Sequence, residues 1–291
     1  MEALRRRIEA RVMSLSGLAL GQIDYEHPEG DPGLFGPDSM PWEVHSDFTS
    51  MLVGGIASLL LQMLHPLALA GVWDHSNFRQ DMLGRLRRTG QFVAGTSFAP
   101  TASADWLIDK VRSIHLKVTG TTADGRRYAA SDPALLTWVH VAEVSCFLAG
   151  YLRYLNPQLS GAEQDRYYAE IALVAERLGA TDVPKSRQAV ADYLDAMRPQ
   201  LVCDERTREI CRILLNAPAP SRSAAPISRL FMQAGIDLLP AWTQQQLGLQ
   251  QAAWQRPLIR AGVHSLAPIL RWAVRNGASH RSRKRMGLPP R

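Results

Sequence analysis

A stretch of helical length that is apolar on every side can only sit inside a protein. DPALLTWVHVAEVSCFLAGYLRYL, running from Asp132, is such a stretch. Leu135, Leu136, Trp138, Val139, Val141, Val144, Phe147, Leu148 and Leu152 cover the whole circumference of a 3.6-residue helix, so no face is left for water. Asp132 has the side chain to cap the first turn and Pro133 suits the first helical position. Asn156-Pro157 ends the pattern. A central helix of this kind requires other helices around it, and amphipathic helical spacing recurs along most of the chain. Strand signals are confined to HLKVTGTTADGRRY, where Asp124-Gly125 supplies a hairpin turn that needs positive φ. The pattern predicts an all-α multi-helix bundle with one short β-hairpin, formed by residues 1–291 as a single unit.

A second apolar run, MLVGGIASLLLQMLHPLALAGVW at residues 51–73, matches the roughly 20 residues that cross a bilayer. Gln62 and His65 interrupt it and Pro66 kinks it, so it reads instead as a buried helix pair in which Gly54, Gly55 and Ser58 admit a close neighbour. Three scattered cysteines give neither a disulfide framework nor a zinc knuckle. The opening MEALRRRIEARVMSL is an amphipathic helix without a continuous apolar region of the signal-peptide kind, which points to a cytoplasmic protein. Residues 216–228, NAPAPSRSAAPIS, read as a loop or linker.

Charge is uneven. After Asp237 there is no acidic residue, while eight arginines and Lys284 follow, so the net +6 comes from the C-terminal segment. RPLIRAGVHSLAPILRWAVR has the spacing of an interfacial amphipathic helix, broken at Pro268, followed by a basic tail at 279–291. Peripheral membrane contact through this segment is expected in preference to nucleic-acid binding, for which no recognition motif is present.

His140 stands in the middle of the interior helix, and an unpartnered buried polar group costs on the order of 2–7 kcal/mol. Three readings answer it: a core histidine bonded to a carbonyl or to Glu143, a general base, or a metal ligand. A mononuclear site built from protein ligands would call for a second donor one turn on, and position 144 is valine. A haem iron asks the protein for a single axial imidazole. On the preceding helical segment, from about residue 77 to 93, Arg85, Arg88 and Thr89 share a face, with Asp81 one turn before Arg85. A solvated basic face is the simpler reading of them.

The ordered blocks HPLALAGVWDHSNFRQDMLGRLRRT, HLKVTGTTADGRRYAASDPALLTWVH and DRYYAE resemble the MpaB-type oxygenase family, which includes the rubber oxygenases, over about residues 30–200. The resemblance implies a globin-like helical core, haem b, O2 and a small apolar substrate of isoprenoid or lipid-like kind. It implies His140 as the iron ligand, with Arg85, His65 and Trp138 beside the cofactor, and Arg85, Arg88, Thr89 and His75 as the catalytic set. A family lysine is replaced here by Arg88, whose guanidinium stays protonated. The acidic residue that precedes the arginine in rubber oxygenases has no counterpart; His65, Asp74 and His75 occupy that stretch. A haem or hydrophobic-ligand binder without turnover is the alternative reading.

Overall fold

The computed structural model describes residues 1–15, 17–219 and 221–289. The helices are α1 (Glu2–Leu15), α2 (Met40–His45), α3 (Phe48–Gln62), α4 (Pro66–His75), α5 (Met82–Phe98), α6 (Thr101–His115), α7 (Pro133–Tyr154) and α8 (Gly161–Leu178). They continue as α9 (Arg187–Met197), α10 (Glu205–Leu215), α11 (Ala225–Leu238), α12 (Ala241–Leu247), α13 (Gln255–Ala273) and α14 (Ala278–Arg285). Strands β1 (Thr119–Thr121) and β2 (Arg127–Ala129) form an antiparallel ribbon about Asp124-Gly125, with Gly125 at φ 85°. The fold is all-α apart from that ribbon, as the sequence pattern implies.

α7 is the axis. Asp132 accepts from the Leu135 N–H and Pro133 opens the helix, and Trp138 and Val141 are wholly buried. α3 runs antiparallel to it at short range. A Cβ on Gly54 would lie 2.8 Å from the Cys146 carbonyl oxygen, and one on Gly150 would lie 2.6 Å from that of Ser50. Only glycine lets the two backbones approach so closely. The apolar run at 51–73 divides into α3 and α4, bent by 103° around residues 63–65. Pro66 fits the first turn of α4 and His65 caps it, accepting from Ala68 N–H. α7 is itself long and apolar enough to span a membrane, but it is the core helix that the other elements wrap.

α5 and α6 form a helical hairpin joined by Ala99-Pro100. Gly95 faces Leu107, which makes the register of the pair antiparallel and brings the C-terminal turn of α6 level with the first turns of α5. α5 begins later than its spacing predicts, because Asp81 caps it by accepting from Gly84 N–H. Asp81 therefore does not pair with Arg85; its ionic neighbour is Arg88, at 3.7 Å. α8 leans on α7, α2 and α6, and its DRYYAE block holds the start of α2: Glu170 accepts from Met40 N–H, while Arg166 donates to Glu170 and to the Asp38 carbonyl.

The C-terminal segment departs most from expectation. α13 continues through Pro268 without a break. Residues 279–289 are not a tail: α14 is docked, and Arg285, 2% exposed, donates to the carbonyls of Asp31, Tyr25 and Phe98. Arg271 holds Asp47 and Arg260 holds Asp237, both acids being buried. Arg260, Arg271 and Arg285 are thus engaged by the fold, a use that charge spacing alone does not reveal. Residues 290–291 lie outside the described residues. The linker reading of 216–228 is too long, since α11 starts at Ala225; Pro220 too lies outside the described residues.

Candidate functional site

Eight histidines are distributed along the chain, and their hydrogen bonds separate those the fold uses from those it does not. His27 binds Asp24 at the surface. His65 caps α4 and leans on Trp138, whose Nε1–H donates to the Gln62 carbonyl at 3.3 Å. Burial lowers the His65 pKa to about 4, with nearby Arg126 adding to the effect. His65 and Trp138 thus have structural roles in this fold. His75 is exposed at the end of α4 and bonds the Thr119 carbonyl and the Tyr128 hydroxyl, fastening the ribbon.

His45 is fully engaged. Ser97 donates its hydroxyl to the Val93 carbonyl at 2.7 Å, so it accepts from His45 Nδ1–H, also at 2.7 Å. His45 Nε2 is then the acceptor for the Tyr167 hydroxyl at 2.8 Å. Burial, with His140 nearby, lowers the His45 pKa to about 3, and the imidazole is neutral. This chain ties α2, α5 and α8 together. Periodicity reveals neither His45 nor Tyr167, although Tyr167 falls inside the DRYYAE block.

His140 is different. It is 8% exposed, and its ring makes no hydrogen bond among the described residues. Burial lowers its pKa to about 4, which leaves a neutral imidazole with a free lone pair. Glu143, one turn on, also lacks a hydrogen bond among the described residues, and burial raises its pKa to about 7. It keeps some accessible surface although α7 is interior, so it does not serve as the partner of His140 that the sequence allowed. Such groups are ligands in waiting or sources of instability.

Arg85 lies deep on α5, donates to Ser76 Oγ at 3.0 Å, and has its pKa lowered to about 10 by burial, with Arg88 adding to the effect. Thr89 is half-buried on the same face. Arg88 turns to the surface, bonding Asn77 and Asp81. Of the sequence-derived set, Arg85 and Thr89 share a face of α5 and His140 lies inside α7. The Gln62 side chain donates to the carbonyl of Val139, beside His140, while Arg85 lines a small cavity with Leu59 and Met63, in the same turns of α3. That cavity holds about 10 Å³, room for one water. Arg88 and His75 lie at the surface, while Trp138 bonds the same Gln62 and carries His65 against it.

His115 is a further imidazole with an unengaged nitrogen, unnoticed in the sequence because it ends an ordinary amphipathic helix. Its Nδ1 is buried without a partner, and burial lowers its pKa. The register of the α5–α6 hairpin places it level with Arg85. Among the described residues no cluster of three or more His, Cys, Asp or Glu can hold a metal ion. A cofactor that brings its own equatorial ligands is not subject to that requirement.

Over residues 42–275 the chain matches the family described as ER-bound oxygenase mpaB/B'/Rubber oxygenase, catalytic domain. No curated protein and no solved structure matches it.

Proposed function

The chain belongs to this oxygenase catalytic-domain family, and from that premise we propose that it oxidises a small apolar substrate with O2, using haem b held by His140. The observation that carries the reading is a buried neutral imidazole with no hydrogen-bond partner, on the turns of α7 that meet the α3 turns lining the Arg85 cavity. One donor suffices for the iron, and His140 offers one. His115 and His280 also carry a nitrogen without a partner; His140 is preferred because it is the more deeply buried residue. The small cavity beside Arg85 is far below the size of a macrocycle, so haem would need more room than this packing leaves.

When bound, haem would supply the activation of O2. The chain supplies the surroundings. Arg85 brings a guanidinium into an apolar interior, where a fixed positive charge stabilises developing negative charge better than water does. Thr89 adds a hydroxyl that can donate or accept. Glu143, with a pKa near 7, can hold or release a proton at neutral pH. Leu59 and Met63 give the cavity beside Arg85 an apolar lining. The exposed apolar residues Trp254, Leu258 and Ile269 on one side of α13 offer a cytoplasmic protein a peripheral membrane contact from which an apolar substrate would be drawn.

Oxygen uptake by haem-supplied protein with squalene tests the reaction. We expect O2 consumption with oxygenated products, reduced at least 100-fold in Arg85→Ala. Squalene returned unchanged would contradict turnover and leave a binder.

A further inference from the structure

Three arginines converge on one buried acid. Asp237, in the last turn of α11, has a side chain that is 0% exposed, while Arg153 in the last turn of α7 and Arg256 and Arg260 in the first turns of α13 keep 29%, 37% and 41% of their side-chain surface. Arg260 alone spans both carboxylate oxygens, at 2.7 and 3.1 Å. That fork is enough to neutralise Asp237. Arg153 nonetheless adds bonds from Nη1 to the same Oδ2, at 3.0 Å, and to the Asp237 carbonyl. Arg256 makes no hydrogen bond to the acid: its Nε stands 3.9 Å from Oδ1, and its Nη2 is engaged by the Gln244 amide oxygen.

Three guanidiniums against one carboxylate leave an excess of two positive charges, and among the described residues no second carboxylate lies within ion-pair distance of any of the three. Like charges so close repel one another. Burial lowers the Arg153 pKa, with Asp237 opposing and the Arg260 charge adding to the effect. The excess faces outward. Nη2 of Arg153 and Nη1 of Arg256 and of Arg260 make no hydrogen bond among the described residues, and none of them is sealed from solvent. Holding Asp237 accounts for the first guanidinium and not for the third.

We propose that Arg153, Arg256 and Arg260 form a binding site for a phosphate group, about 20 Å further along α7 than His140 and separate from it. A phosphate monoester carries about −1.5 to −2 charges at pH 7 and three acceptor oxygens, which matches the excess charge and the three free Nη groups. A carboxylate, with one charge and two oxygens, meets half of that excess. Trp254 and Leu258, both exposed, stand at the same end of α13, so the phosphate can arrive free in solution or as the headgroup of a lipid.

Calorimetric titration of the full chain with inorganic phosphate and with acetate, at pH 7 and fixed ionic strength, tests the proposal. Phosphate is expected to bind one-to-one and at least about tenfold more tightly than acetate, and Arg256→Gln should weaken it at least about tenfold while the urea midpoint holds. Arg212→Gln, at an exposed arginine of α10, should change it less than about twofold. Should Arg256→Gln fold poorly, Arg256→Met, which keeps the apolar stem, carries the same expectation. Sedimentation with phosphatidylcholine vesicles, with and without phosphatidic acid, separates the two sources: binding to phosphatidic acid that Arg256→Gln abolishes assigns the headgroup, and phosphate binding without vesicle binding assigns the free ion, either of which supports the site. No saturable phosphate binding, acetate binding as tightly, phosphate binding unchanged by the Arg256 variants, or an equal loss in Arg212→Gln would each overturn it.

Discussion

Two buried polar regions of this molecule follow opposite rules. Around Asp237, Asp47 and Arg285 the charged side chains are partnered: Asp237 takes Arg260 at 2.7 Å and Arg153 at 3.0 Å, Asp47 takes Arg271, and Arg285 saturates three carbonyls. Around α7 and the start of α5, His140 and Glu143 carry no hydrogen bond among the described residues, and His115 Nδ1 is an orphan. The first region links α11, α13 and α14 to the bundle alongside their apolar packing. The second weakens the fold it sits in, and a chain that retains such groups in its core uses them for something other than stability.

Acid should act most strongly, on His140 of the second region and on the engaged His45 and His65 alike. Burial holds His45, His65 and His140 at about 3, 4 and 4, against about 6.5 in the unfolded chain. Between pH 6.5 and 4 the unfolded chain therefore takes up protons that the native state refuses. Their contribution is complete above 6.5 and is lost as pH falls, by up to about 1.4 kcal/mol per pH unit for each group. Urea midpoints at pH 7, 6 and 5 should fall steeply; a flat profile would mean that these imidazoles are not buried.

Breaking the partnered region comes next. Asp237→Asn leaves Arg260 and Arg153 without their anion beside a carboxamide that is 0% exposed, and should cost about 2–3 kcal/mol, read as a lower denaturant midpoint at unchanged slope. In the unpartnered region the matching change should act the other way. The folded Glu143 keeps its proton up to about 7 while the unfolded chain releases it above about 4.5, so its contribution is intact below 4.5 and lost as pH rises to 7. Glu143→Gln should thus stabilise the protein at pH 8 by about 1–2 kcal/mol and change little at pH 4. Destabilisation at pH 8 would show that Glu143 has a partner after all. The smallest effect belongs to a site in neither region: Ser160→Ala removes the capping box of α8 with Glu163, worth about 1 kcal/mol.

What could be read in the sequence was whatever local chemistry decides. The cap and proline at Asp132-Pro133, the turn at Asp124-Gly125 and the division of the apolar run at Pro66 are fixed by side chains a few residues away, and all three stand in the fold. Long-range partnering was hidden. Arginines after Asp237 look like a solvated or interfacial surface until the fold brings Asp47, and the carbonyls of Tyr25 and Phe98, to meet them. The candidate site was legible in the same proportion. His140 was visible as a polar residue in an apolar helix, and Arg85 with Thr89 as a shared face. The roles of His65 as a cap, of His75 as a fastening for the ribbon, and of His45 as a link to Tyr167 depend on contacts from distant elements. So does the orphaned nitrogen of His115.

The central claim is that an unpartnered imidazole of this second region exists to bind iron in a porphyrin. The absorption spectrum of the full chain titrated with haemin, for wild type, His140→Ala and His115→Ala side by side, tests it most directly. A stoichiometric Soret band that persists in His115→Ala and is lost or strongly shifted in His140→Ala is the predicted result. No Soret band in the wild type, or one that His140→Ala leaves unchanged, would contradict it.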